Sequence, residues 1–132
     1  MACANLIDNN KIGDWRHAKA LTSGPDRIVL VNGCFDLLHP GHLMKLQAAA
    51  ELGRLLVVSI DPDEDVRRLK GPGRPLMKWA DRALMVASLP DVDAVTWHTA
   101  DRSGGDQSLP ALMEFLRPDR WAARRRATLR CR

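Results

Sequence analysis

Apolar residues along this chain fall into two kinds of run, short and unbroken or longer and spaced. The unbroken runs are Arg27 to Asn32, Leu55 to Ile60 and Ala94 to Trp97. None alternates with polar residues, as expected of strands covered on both faces. The spaced runs predict helices. One lies near Asp14 to Leu21, before a polar break at Thr22-Ser23-Gly24-Pro25-Asp26. A second, His42 to Leu52, has apolar residues at 43, 44, 46, 48, 49, 50 and 52 and is closed by Gly53. Asp61-Pro62-Asp63-Glu64-Asp65 suits the first turn of a short helix, because acids and proline are favoured there. That helix gives way to a loop, Lys70-Gly71-Pro72-Gly73-Arg74-Pro75. Lys78 to Ser88 and Asp106 to Leu116 follow as helices, with Pro110 in the first turn of the latter. Strands alternating with helices imply an α/β fold: an open parallel sheet with right-handed crossovers and helices on both faces. No internal repeat or second domain is legible.

Charge changes this picture at one end only. The 132 residues carry a net +4, yet residues 117 to 132 hold seven arginines against one acid, and residues 1 to 116 hold 13 basic against 15 acidic residues. The body is mildly acidic and the end strongly basic. Such a tail can signal nucleic-acid binding. That reading is set aside, and neither nucleic acid nor membrane is an expected partner. No apolar run approaches the ~20 residues that span a bilayer, and Met1 to Asn5 lacks the features of a signal peptide. The expected compartment is the cytoplasm, with Cys3, Cys34 and Cys131 as reduced thiols.

The densest chemistry lies in Asn32-Gly33-Cys34-Phe35-Asp36-Leu37-Leu38-His39-Pro40-Gly41-His42. A strand runs into a glycine turn, and two histidines precede a helix. This sets two imidazoles beside the amides of a helix N-terminus, where anions bind. Gly33 lets the backbone approach a phosphate, the amides of Cys34 and Phe35 can donate to it, and Gly41 leaves the helix start unobstructed. Cys34 as a nucleophile is the weaker reading, since phosphoryl transfer needs no sulfur chemistry.

These residues, with Arg68-Leu69-Lys70-Gly71 and Arg74-Pro75, resemble the HxGH nucleotidyltransferases of the cytidylyltransferase-like family. The wording is most similar to the adenylyltransferase domain acting on heptose 1-phosphate in ADP-heptose synthesis. The resemblance runs over about residues 12 to 122, including Trp15 and Leu116-Arg117-Pro118-Asp119. It implies a Rossmann-like sheet and transfer of a nucleoside monophosphate from a triphosphate to a sugar phosphate, with release of pyrophosphate. By resemblance, His39 and His42 face the triphosphate, Lys70 closes over it as a mobile loop cation, and Arg74 contacts substrate phosphate or covers the loop. Asp36 orients the loop or a substrate hydroxyl, or is simply a turn residue. Magnesium is the implied ion, held mostly through phosphate oxygens; no protein metal site is expected. Relatives are often dimers, although no interface can be read here. A cytidylyltransferase acting on glycerol 3-phosphate is the alternative within enzymes.

Other residues are read as structural. His17 and His98 are assigned to the surface, Trp15, Trp79 and Trp97 to core or rim packing, and the acids of residues 61 to 65 to a charged helix start. Zinc at His39 and His42 would need further ligands that the sequence does not offer.

Residues 123 to 132 depart from the family. In place of the expected Lys-Gly-Gly-Asp loop, a further strand and an Arg-Thr-x-Gly-x-Ser-Thr-Thr-like motif stands an arginine-rich tail. The expectation is a domain over residues 1 to 122 whose final strand is missing, the tail being out-of-frame or truncated coding sequence. On that view a nucleotide-binding remnant without turnover remains an alternative.

Overall fold

A computed structural model describes residues 9–99, 107–122 and 130–131. In chain order its elements are α1 (Trp15–Leu21), β1 (Ile28–Gly33), α2 (Pro40–Ala50), β2 (Leu55–Ile60), α3 (Asp63–Lys70), α4 (Trp79–Ala87), β3 (Ala94–Trp97), α5 (Leu109–Leu116), β4 (Arg120–Ala122) and β5 (Arg130–Cys131). Sheet order is β3-β2-β1-β4-β5. The first four strands are parallel, with Gly33 opposite Ile60 and Val31 opposite Ala122. This is the Rossmann-like sheet that the resemblance implied.

Strand parity divides the core. Val29, Val31, Leu56, Val58, Ile60 and Val95 pack on one face with Leu46 and Ala49 of α2 and Ala83, Val86 and Ala87 of α4. Leu30, Val57 and Ala94 face the other way, onto Ala18 of α1 and Leu112 and Leu116 of α5. Each central strand is therefore apolar on both sides, which is why its sequence shows no alternation.

Apart from small shifts at the ends of α2 and α4 and a later start of α5, three features differ from expectation. Lys70, expected in a loop, is the last residue of α3; the helix stops at Gly71, whose φ of 105° suits glycine. Arg120–Ala122, given no element from sequence, forms β4. Three residues carry little pattern, and this strand exists because β1 supplies a ladder beside it and Asp119 Oδ2 accepts from the Ile28 amide at 2.9 Å. Within the segment assigned to a tail, Arg130 and Cys131 pair antiparallel with Trp121 and Arg120; residues 123 to 129 lie outside the described residues, as do Cys3 and Asp106. No described helix is long and apolar enough to cross a membrane.

Candidate active site

The strand order reverses at β1. From β1 the chain moves to β2 and β3 on one side, then returns to β4 on the other. The segment after β1 carries α2 on one face, and the segment returning to β4 carries α5 on the other; in open parallel sheets the crevice at the carboxyl ends at such a point takes the ligand. Residues 33 to 42 leave β1 at that crevice.

The turn is built under strain. Phe35 and Leu37 both hold left-handed backbone, with φ of 51° and 63°. That conformation costs an L-residue about 1–2 kcal/mol, and such costs gather at functional turns. Packing over-determines the turn. The Phe35 ring is buried in the α2–α4 core, and a Cβ on Gly33 would come within 3.1 Å of it. The Cys34 thiol is buried and donates to Asp61 Oδ2 at 3.1 Å. Gly33, Cys34 and Phe35 thus lie together at the end of β1, with the Phe35 side chain given to the core.

His39 caps α2. Its Nδ1 accepts from the Gly41 amide at 3.1 Å, so the neutral ring carries its proton on Nε2. His42, one turn on, stacks against it with centroids 3.7 Å apart and planes 25° from parallel, and its other ring contact is Phe35 at 5.3 Å. Nδ1 of His42 is buried without a hydrogen-bond partner. Burial first, then the charges of His39, Lys45 and Lys70, push His42 below its ordinary 6.5. Lys70 is exposed at the end of α3 and close enough to be felt by that imidazole. The arrangement is cationic, short of counter-charge at His42, and open at His39 and Gly41.

Asp36 serves the loop. Its buried carboxylate accepts from the amides of Leu76 at 2.8 Å and Met77 at 3.0 Å. Nε of Arg74 lies 2.9 Å from it, an ion pair whose N–H is not aligned for a hydrogen bond. Burial works to raise the Asp36 pKa; the two amides and the charges of Arg74 and Arg82 outweigh it and lower the pKa from 3.8. Arg74 is therefore drawn to the turn by Asp36.

The structure also brings in residues the sequence reading placed elsewhere. His98, assigned to the surface, is buried: Ser59 Oγ lies 2.7 Å from its Nδ1 and Asp61 Oδ1 lies 3.3 Å from its Nε2. The signal was strand parity, since residues 94, 96 and 98 share a face. Asp61 and Asp65, read as part of a charged helix start, are buried too. This Ser–His–Asp connectivity resembles a nucleophile relay, but Ser59 is wholly buried within a central strand, so no substrate can reach it. Trp15, Trp79 and Trp97 are packing residues; Trp15 donates to the Trp97 carbonyl and Trp79 to that of Ile60.

The family model described as cytidylyltransferase-like matches residues 30–123. The chain belongs to the cytidylyltransferase-like family. Its cytidylyltransferase-like domain is 42% identical to the bifunctional protein HldE of Magnetococcus marinus over 121 residues, which is 88% of this chain and 23% of that protein. It is 50% identical to the protein of that name from Methylococcus capsulatus over 76 residues, 58% of this chain and 16% of the other. The chain thus spans about a fifth of the length of these relatives. Among solved structures, the lipopolysaccharide core biosynthesis protein of Thermoplasma volcanium aligns with a TM-score of 0.58 at 26% identity, over 71% of this chain and 70% of that one. The cytidylyltransferase-like domain is a nucleotidyltransferase domain by family.

Proposed function

We propose that this domain transfers adenylate from ATP to D-glycero-D-manno-heptose 1-phosphate, giving ADP-heptose and pyrophosphate. The observation that carries the reading is the stacked His39–His42 pair at the start of α2, beside the switch point of the sheet. A phosphate oxygen of the acceptor attacks the α-phosphorus. The bond from that phosphorus to the bridging oxygen breaks, and its electrons leave with pyrophosphate. Negative charge grows on the bridging and non-bridging oxygens, so catalysis consists of donors and cations held in position. His39 offers Nε2–H, and His42 gains a proton more readily once a phosphate replaces its missing counter-charge. Lys70 and Arg74 add charge from the two segments flanking the turn.

Among the described residues no group of three His, Cys, Asp or Glu side chains is arranged for a metal, and Asp36 is occupied by Leu76, Met77 and Arg74. In this reading magnesium would be carried on phosphate oxygens and water, where it would neutralise triphosphate charge. The choice of ATP and of a heptose acceptor draws support from the likeness to the HldE proteins.

The test is pyrophosphate release with magnesium, pairing ATP and CTP each with heptose 1-phosphate and with glycerol 3-phosphate. Release with ATP and heptose 1-phosphate, lost in His39→Ala, is the expected result. Release only with CTP and glycerol 3-phosphate would replace the proposed substrates. Silence from folded protein that still binds ATP would make it a nucleotide-binding domain without turnover on these substrates.

A further inference from the structure

Arg82 is wholly buried and has no part in the chemistry above. Sequence reasoning passed over it, although it falls on the apolar stripe of α4, three residues after Trp79 and four before Val86. A guanidinium there is costly unless its donors are met. Nε donates to Met77 O at 3.0 Å, Nη1 to Cys34 O at 2.7 Å and Asp61 O at 2.8 Å, and Nη2 to Asp63 Oδ1 at 2.6 Å.

The four acceptors belong to different parts of the rim. Cys34 is in the strained turn, Asp61 follows β2, and Asp63 opens the helix that ends in Lys70. Met77 follows the loop that carries Arg74. Asp36, two residues after Cys34, fastens the same loop a second time through the amides of Leu76 and Met77. Filling the core cannot be the reason for this residue, because a methionine would do that without needing four acceptors. Lysine is no substitute either: it has three donors on one atom, where arginine spreads five over a planar fork.

We propose that Arg82 is a positioning residue that holds the Lys70 helix and the Arg74 loop in fixed relation to the histidine turn. The triphosphate then meets imidazoles and cations as one preorganised rim. The consequence for catalysis rests on the nucleotidyltransferase reading; the mechanical coupling stands apart from it.

Hydrogen exchange of the ligand-free chain tests the coupling. In Arg82→Lys, residues 33–37, 61–65 and 74–77 should lose protection together, by about tenfold or more, while α5 and β3 keep theirs. In Asp63→Ala, which removes one partly exposed acceptor, the loss should be confined to residues 61–70, so the idea stays testable if Arg82→Lys fails to fold. Uniform loss across the sheet, or loss at 74–77 alone, would overturn it. The second measurement is ATP affinity with magnesium in a double-mutant cycle. Lys70→Ala should weaken ATP severalfold in the wild-type background and little in Arg82→Lys, whereas additive effects would refute positioning. A wild-type chain that neither binds ATP nor releases pyrophosphate would sink the functional reading, and hydrogen exchange would still decide the coupling.

Discussion

His39 and His42 lie ring on ring, 3.7 Å between centroids, and the inner ring is held toward its neutral state by burial, by its partner and by Lys45 and Lys70. Two stacked imidazoles cannot both carry charge cheaply, whereas a phosphate across them removes the conflict. His42 should therefore titrate below 6.5 in the free protein and move up by about one unit or more when ATP binds. NMR titration of its ring protons reads both values. A midpoint unmoved by saturating ATP would separate His42 from the triphosphate.

Gly41 leaves room for the His39 ring. A Cβ there would lie 2.9 Å from Cε1 and 3.0 Å from Nδ1. Side-chain atoms can yield, so Gly41→Ala should cost the fold only about 1 kcal/mol through the weakened cap. The displaced ring should lose its stack, and ATP affinity should fall about tenfold, or 1.4 kcal/mol. Thermal melting and calorimetry together distinguish this from general destabilisation.

Asp36 ties the loop to the turn, and its substitution tests that bond. Asp36→Asn exchanges a carboxylate with three partners for an amide that can satisfy fewer, at a cost of roughly 3 kcal/mol at pH 7. Because its folded pKa lies below 3.8, its stabilisation is complete above that value and is lost as pH falls through the folded one. The urea midpoints of wild type and variant should differ clearly at pH 7 and draw together as the pH falls below 3.8 toward the folded value. A constant gap would show that the charge contributes nothing.

His98 should make the fold acid-sensitive. Burial lowers its pKa from 6.5 despite the opposing charges of Asp61 and Asp65. The unfolded chain then takes up this proton first, so stability is full above about pH 6.5 and declines as pH falls toward the folded value. His98→Gln keeps a donor and an acceptor but cannot titrate. Its melting temperature should drop less than that of wild type between pH 7.5 and 5.5; an equal drop would assign the acid limb to other groups.

Local pattern made much of this protein legible. The strands at Leu55–Ile60 and Ala94–Trp97 coincide with their runs residue for residue, because a strand covered on both faces draws apolar side chains to most positions, Ser59 and Thr96 being the buried polar exceptions. The turn from Gly33 to His42 was legible for a different reason: glycine, proline and histidine at those spacings constrain backbone and chemistry together. Helix ends were less clear. Lys70 belongs to the helix because the cap at Gly71 extends α3 by one residue, a local detail that periodicity does not resolve.

By itself, then, the sequence determined the order of elements as far as α5, the parallel sheet, and the pairing of a glycine turn with two histidines. Tertiary structure alone decided what the charged residues do. Asp36 could be a turn former or a ligand until Leu76 and Met77, forty residues on, presented their amides to it. His98 looks like a surface residue in one dimension, and the position of Arg82 on an apolar stripe does not say which acceptors meet it, since burial of a polar group depends on distant segments. A buried charge persists only where separate segments supply its partners, and a one-dimensional pattern does not encode which segments will meet.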